Sequence, residues 1–412
     1  MLEQLFTGRW AAPRLRSSPL GPWLDSFVQR LAGLGYTPWS CRSCVVLAAD
    51  LGRWMKGAGV PVGKLDESAV DAYLDCRKTQ RERRRAASEL VLGHLRAEGV
   101  TPTPPLHPDG SVVTARCQLF AAYMREERGA AEGTVEGYAA VVREFLTRRF
   151  GSGDLDLGAL TSSDIGDYLV ARAPGLSPKR VSYLASSLRT FFRFLFVRGE
   201  IATDLSRAAL TAQGRYRASV PRYLSPAEVE KLLETCDLTT PAGRRNRAII
   251  LLLVRLGLRA GEVAALELDD LRWRSKEIVV TGKSDVVDRL PLLSEVGEAL
   301  AAYLTKDRSA HAPTRRVFLR LCAPIREIAG RGAVSTVVRT GLKKAGLQPL
   351  ARGAHLLRHT LGTRLIRAGV PMTEIAEVLR HHSLEVTAIY AKVDFEALRA
   401  LAQPWPSVEG ER

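Results

Sequence analysis

The stretch that most limits what this chain can become runs from His355 to Tyr390, HLLRHTLGTRLIRAGVPMTEIAEVLRHHSLEVTAIY. It holds four of the seven histidines, His355, His359, His381 and His382. Apolar residues at Leu356, Leu357, Leu361 and Leu365 predict a helix from His355 to about Arg367, stopped at Gly369-Val-Pro371. A second short helix is predicted over Thr373–Leu379. A third begins near Ser383, a plausible N-cap, and carries Leu384, Val386, Ile389 and Tyr390. His355 and Arg358 stand three residues apart, so they share a helix face, and no carboxylate on that helix neutralises them. Cationic donors on an otherwise apolar helix point to an anion site.

The charge balance agrees. A net charge of +16 on 412 residues, with arginine commoner than lysine, predicts a polyanionic partner, since guanidiniums suit bidentate phosphate contacts. A membrane span is excluded, because no run of 18 apolar residues exists. The basic N-terminus lacks the sustained apolar segment of a secretory signal, so a cytoplasmic protein is expected. Six scattered cysteines fit reduced thiols. Cys41 and Cys44 form a lone CxxC, read as two core-facing thiols of one helix rather than a metal site.

Residues 1–20 are expected to be a flexible arm, and 21–100 a helical DNA-binding module. Its run Arg77–Arg85 (RKTQRERRR) is either a solvated helix face or a phosphate contact. The Pro-rich stretch within 101–112 is a linker. A second helical domain, 113–213, repeats the first: Leu65–Leu74 aligns with Leu160–Leu169 at an offset of 95. After a basic linker at 214–222, Ser225, Pro226 and Glu228 make a capping box that opens a third domain over 223–400, followed by a tail at 401–412. Arg244–Leu256 is a buried helix ended by Gly257, and Arg259 starts the next. Glu277–Lys283 and Val286–Leu292 are β-rich and predict a hairpin with Lys283 near its tip. Helices Glu295–Leu304, capped by Ser294, and Gly332–Ala345 lead back to the opening stretch. The expected fold class is mainly α with a small β-sheet.

The gathered groups are Arg259, Lys283, His355, Arg358, His381 and Tyr390. A phosphodiester under attack develops charge on its non-bridging oxygens, which guanidiniums and a ring N–H can hold. A lysine can protonate a leaving oxygen, and a histidine can take a nucleophile's proton. Tyrosine, with a free pKa near ~10, needs such neighbours. A metal nuclease would want clustered carboxylates, whereas Glu374, Glu377 and Glu385 lie on polar helix faces. Gly282-Lys283-Ser284 lacks the upstream glycine of a phosphate loop. Taken singly, Tyr390 reads as a core tyrosine, Lys283 as a hairpin-tip lysine and Arg259 with Glu262 as a local ion pair. His359 reads as a residue that packs or bonds within its own helix. The joint order of these groups is what separate structural roles leave unexplained.

At these residues the chain resembles the tyrosine recombinase (phage integrase, Xer-like) family. Leu256-Gly-Leu-Arg-Ala-Gly-Glu262 resembles the motif of the first arginine, and Gly282-Lys283 that of the hairpin lysine. His355-Leu-Leu-Arg358-His-Thr resembles the H-x-x-R-H box, and Leu379 to Tyr390 the closing His-to-Tyr box. The resemblance implies SAM-like helical DNA-binding modules ahead of a mixed α+β catalytic domain. It implies a site-specific recombinase in which Tyr390 attacks the scissile phosphate to form a 3′-phosphotyrosyl link. Arg259, Arg358 and His381 would clamp the phosphate, Lys283 would protonate the leaving 5′-oxygen, and His355 would assist proton transfer at the tyrosine. No metal and no other cofactor is implied. The implied partners are double-stranded DNA at specific sites and further copies of the chain, as a tetramer. The tail, with Leu398, Leu401 and Trp405, would dock on a neighbour. Arg380, His382, Arg289, Lys179 and Arg180 are the expected DNA contacts. In one departure from the family pattern, the usual Leu-Gly-His before the last box is Leu379-Arg380-His381 here. The module before residue 100 resembles those of longer integrases on mobile elements. Two other readings stay open: a non-catalytic DNA-binding accessory protein of the same fold, and a relaxing topoisomerase with the same tyrosine chemistry. So do the DNA site, the direction of reaction and the need for a partner recombinase.

Overall fold

A computed structural model describes the chain except for residues 9, 78, 104–111, 152–153, 211–221, 283–285, 311, 350–352, 382–383 and 391–412, and the side chains of 384–385. It is mainly helical, with one small three-stranded antiparallel sheet. Two compact units emerge: Met1–Pro102 joined with Val220–Arg412, and Thr103–Ser219.

The first module is built on helix Pro38–Ala58, started by Thr37, whose side chain accepts from the Ser40 amide, and ended at Gly59 in the left-handed region. Helices Leu24–Gly33 and Arg81–Ala97 pack on it. Cys41 is buried and Cys44 half-buried on this helix. Residues 1–20 are packed rather than loose. Leu2, Ala12, Leu15 and Leu20 enter the same core, and Arg16 pairs with Asp25 at 2.8 Å and Glu3 at 2.5 Å. The apolar residues of this segment thus find a core that its short, basic sequence did not reveal.

The unit Thr103–Ser219 has its own core, rich in phenylalanine, between helices Val112–Glu126, Glu132–Phe150 and Pro178–Val197. The internal repeat is structural as well as sequential. Leu65, Val70, Tyr73 and Leu74 are buried in one module, and Leu160, Ile165, Tyr168 and Leu169 in the other. In each set the leucine precedes the side-chain cap of a short helix that carries the other three, Asp66 before Glu67–Asp75 and Thr161 before Ser162–Arg172.

In the segment from Val220, the predicted capping box forms: Ser225 Oγ accepts from the Glu228 amide and Glu228 accepts from the Ser225 amide. The apolar run Ala248–Val254 makes helix Pro241–Arg255 the buried axis, and helices Ser294–Lys306 and Ala354–Arg367 pack against it. Ser294 is the first residue of its helix, and Leu293 holds the cap position without a side-chain bond. The sheet comprises β1 (Leu271–Arg272), β2 (Glu277–Thr281) and β3 (Val287–Pro291) in that order, with Val279 opposite Arg289. The hairpin is the predicted one; β1, only two residues long, carries no alternation that a sequence reading would catch. Helices Met372–Val378 and Leu384–Thr387 complete the described part.

Candidate active site

Helix Ala354–Arg367 starts after extended Gly353 and buries most of one face, and this orients its three polar residues differently. His355 is exposed, Arg358 is 1% exposed and His359 is half-buried. Arg358 donates to the carbonyls of Gly257 and Leu379, so one guanidinium ties the turn before Arg259 to the end of helix Met372–Val378. Gly257 has φ of +61°, and a Cβ there would meet Leu361 and Leu379 methyls at 2.9 Å, so the close approach to Arg358 requires glycine. Burial, then the Arg259 and Arg380 charges, lower the Arg358 pKa to about 10, which leaves it cationic at neutral pH.

Arg259 lies at the N-cap of helix Ala260–Ala265. Its backbone N–H donates to Glu262 Oε2 at 2.7 Å and its Nη1 to Oε1 at 2.7 Å. Its Nη2 donates to the Arg380 carbonyl at 3.1 Å. The predicted local ion pair is therefore real, and it serves to aim Arg259 rather than to occupy it alone. Arg259 borders an open cleft of about 500 Å³, shared with Gly261, Thr281, Arg331, Ser335 and His355.

Tyr390 is 1% exposed and packs with Leu361, Ile375 and Leu379. Its hydroxyl and His359 Nδ1 share a hydrogen bond of 3.0 Å. The His381 ring lies parallel to the tyrosine ring, 1° apart in plane and 6.4 Å between centroids. His381 Nδ1 and Thr387 Oγ1 share a 2.7 Å hydrogen bond, which leaves Nε2 for another partner. Burial raises the Tyr390 pKa to about 12, against a lowering by Arg358. Burial first, then neighbouring cations, push His359 and His381 down to about 4, so both rings are neutral at pH 7.

Arg259, His355, Arg358, His381 and Tyr390 thus converge from two segments far apart in the chain, 257–265 and 354–390. Lys283 and His382 lie outside the described residues, as do Leu398, Leu401 and Trp405. Among the expected DNA contacts, Arg289, Lys179 and Arg180 are exposed. The Arg180 guanidinium sits 4.8 Å over the Tyr183 ring. Arg380 instead turns inward onto Glu262 at 2.8 Å. His359, expected to pack or bond within its own helix, does pack there against the His355 ring and also reaches across 31 residues to the Tyr390 hydroxyl; its i, i+4 spacing from His355 was the available signal. Arg331 and Ser335 on the cleft left no signal, because they look like any polar residues of an amphipathic helix. Four arginines of the basic run are ion-paired: Arg77 with Asp50 at 3.6 Å, Arg81 with Asp75 at 2.9 Å, Arg85 with Asp71 at 2.7 Å, and Arg84 with Asp50. These pairs tie the start of helix Arg81–Ala97 to its own module.

Residues 222–397 match the phage integrase family, and residues 117–199 match the phage integrase N-terminal SAM-like domain. A protein of Sinorhizobium fredii (strain NBRC 101917 / NGR234) that carries the name integrase/recombinase y4rA is 35% identical over 402 residues, 96% of this chain and 97% of that one. The chain belongs to the phage integrase (tyrosine recombinase) family. This tyrosine-type site-specific recombinase is an enzyme that cleaves and rejoins DNA. Tyrosine recombinase XerC of Bacillus licheniformis is 28% identical over 288 residues, 68% of this chain and 92% of XerC. The module at the start of this recombinase is thus shared with y4rA, since an alignment spanning 96% of the chain cannot omit it. Among solved structures, XerH site-specific recombinase in a post-cleavage complex with palindromic difH has a TM-score of 0.55 at 21% identity, covering 70% of this chain and 84% of XerH. The Tn1549 transposon integrase (aa 82–397) with a circular intermediate DNA has a TM-score of 0.52 at 20% identity, over 70% of this chain and 99% of that one. These likenesses show the fold.

Proposed function

We propose that Tyr390 is the nucleophile and that Arg259, Arg358 and His381 hold the scissile phosphate. The observation that carries this is the convergence on one hydroxyl: His359 on the Tyr390 oxygen at 3.0 Å, His381 parallel to its ring, and the Arg358 charge close enough to oppose the burial-driven rise of its pKa. Tyr390 oxygen attacks phosphorus, the phosphorus–O5′ bond breaks, and a 3′-phosphotyrosyl link keeps the bond energy for rejoining. The phenolic proton passes first to His359, whose ring stands 4.3 Å from that of His355 on the open cleft. Arg259 and Arg358 hold the charge that grows on the non-bridging oxygens. Lys283 supplies the proton to the leaving O5′ by its match to the family's hairpin motif. No metal ion or nucleotide enters this sequence of steps.

Tyr390 is buried, so attack requires its hydroxyl to leave its packing and meet the phosphate. DNA binding supplies that change in our reading, together with assembly of four copies on two sites, on the DNA of the cytoplasm. The whole-length likeness to y4rA favours integration, excision or transposition of a mobile element over a housekeeping role. Arg289, Lys179 and Arg180 contact the DNA backbone in this reading, which their exposure supports.

Nicked suicide duplexes tiled from the DNA flanking the gene test the reading, with wild type and Tyr390→Phe and without divalent metal. A covalent protein–DNA band that survives detergent is expected for wild type and absent for Tyr390→Phe. Attachment by the phenylalanine variant would sink the assignment, and tight binding by both with no attachment would favour a non-catalytic DNA-binding protein. Relaxation of a plasmid without exchange of partners would favour a topoisomerase.

A further inference from the structure

Arg380 has no role in the scheme above, yet its placement is unusual in three ways. It adopts φ of +52°, a left-handed conformation that costs any residue with a Cβ and explains why glycine suits this position. Its side chain is only 6% exposed, where arginine is seldom buried without a purpose. Its Nη2 donates to Glu262 Oε2 at 2.8 Å, while Nη1 stands 4.0 Å from Asp288 Oδ2 on β3. Neither Nε nor Nη1 has a hydrogen-bond partner among the described residues.

Glu262 is the key to what this arrangement does. Its carboxylate is 6% exposed and directly bonded to Arg259. With Arg259 alone beside it, that buried negative charge would cancel much of the field Arg259 presents to a phosphate. Arg380 shares the carboxylate, and the cluster of Arg259, Arg358 and Arg380 against Glu262 keeps a surplus of positive charge. Burial alone would push Glu262 up; the Arg380 charge, then the Arg259 amide and both guanidiniums, hold it below the usual carboxylate range. The Arg380 carbonyl also receives Arg259 Nη2, so the same residue restrains Arg259 from two directions.

We propose that Arg380 is a positioning residue of the phosphate site: by sharing Glu262 it frees and aims Arg259 for the scissile phosphate, without touching DNA itself. This rests on Arg259 being a phosphate ligand. It places Arg380 in the chemistry of cleavage and outside the DNA contact surface.

The test compares wild type, Arg380→Gly and Arg380→Lys on a suicide duplex that wild type attacks. Glycine removes the side chain together with the left-handed strain, and the melting temperature of each variant establishes that it is folded. Arg380→Gly is expected to slow covalent attachment about tenfold or more, with an unchanged dissociation constant and unchanged salt dependence of binding. Arg380→Lys, which retains a cation for Glu262, is expected to recover part of the rate. A scissile methylphosphonate, which has lost one charged oxygen, asks less of Arg259, so the gap between wild type and Arg380→Gly should narrow on it. Cleavage by Arg380→Gly at the wild-type rate would overturn the proposal. So would weaker binding with a shallower salt slope, which marks a DNA contact, or an equal deficit on both substrates, which marks a packing role. If wild type attaches to none of the tiled duplexes, the functional reading itself fails and the proposal falls with it.

Discussion

At the scale of single residues, the site works by desolvation. His359 and His381 lie in contact with or beside Tyr390, among buried cations, and both are driven from 6.5 to about 4. Unfolding would restore their ordinary affinity for protons. Between pH 6.5 and 4 the unfolded chain therefore binds more protons than the folded one, and stability falls as pH falls through that window. Above pH 6.5 both states hold neutral rings and the effect is absent. Thermal melts from pH 8 to pH 4 should show the melting temperature dropping below about 6.5, and His359→Phe should flatten part of that fall. A profile that His359→Phe and His381→Phe both leave unchanged would mean that the rings are not desolvated. His359 also illustrates what sequence left hidden. Its spacing from His355 was legible, but its partner, a hydroxyl 31 residues away, depended on how the last helices fold back.

At the scale of elements, helix Ala354–Arg367 must come close enough to Tyr390 for the rings to meet, and Gly362 allows it. A Cβ at Gly362 would lie 2.5 Å from Tyr390 Cζ and 2.6 Å from Cε1, too near for any real contact. Gly362→Ala must therefore displace the tyrosine or the helix. We expect a loss of about 1–3 kcal/mol, read by denaturant melts, and a rise in tyrosine exposure to solvent. Gly362→Ala with wild-type stability and a buried Tyr390 would contradict this packing. The capping box at Ser225 and the buried run Ala248–Val254 were legible because each is set by neighbours within a few residues. The two-residue strand β1 was not, since it exists only through its pairing with β2.

At the scale of the molecule, the first module is joined to the catalytic segment by a small, specific contact. The Ile325 amide donates to the Leu34 carbonyl at 2.8 Å. Beside it Gly35, with φ of +81°, sits where a Cβ would fall 2.5 Å from Ile325 Cγ1. Gly35→Ala should open this joint while leaving both cores intact. The Ile325 amide is then expected to exchange its hydrogen at least tenfold faster, a change of about 1.4 kcal/mol in local stability, with core amides such as that of Leu251 unaffected. Unchanged exchange at Ile325 would mean the contact contributes nothing. Four arginines of the run 77–85, which composition alone offered as a DNA contact, are matched by Asp50, Asp71 and Asp75.

The sequence carried most of the elements beyond residue 20 and the list of chemical groups. Caps, apolar periodicities and glycine stops act over a few residues, and the ordered motifs from Arg259 to Tyr390 identified the family without coordinates. The tertiary structure alone decided which groups touch. It put His359 on the Tyr390 hydroxyl, turned Arg380 inward onto Glu262, packed residues 1–20 into a core and paired four arginines of the basic run with aspartates of their own module. The physical reason is common to all four. Hydrogen bonds, burial and ion pairing depend on distances between residues far apart in the chain, and those distances exist only once the helices have packed.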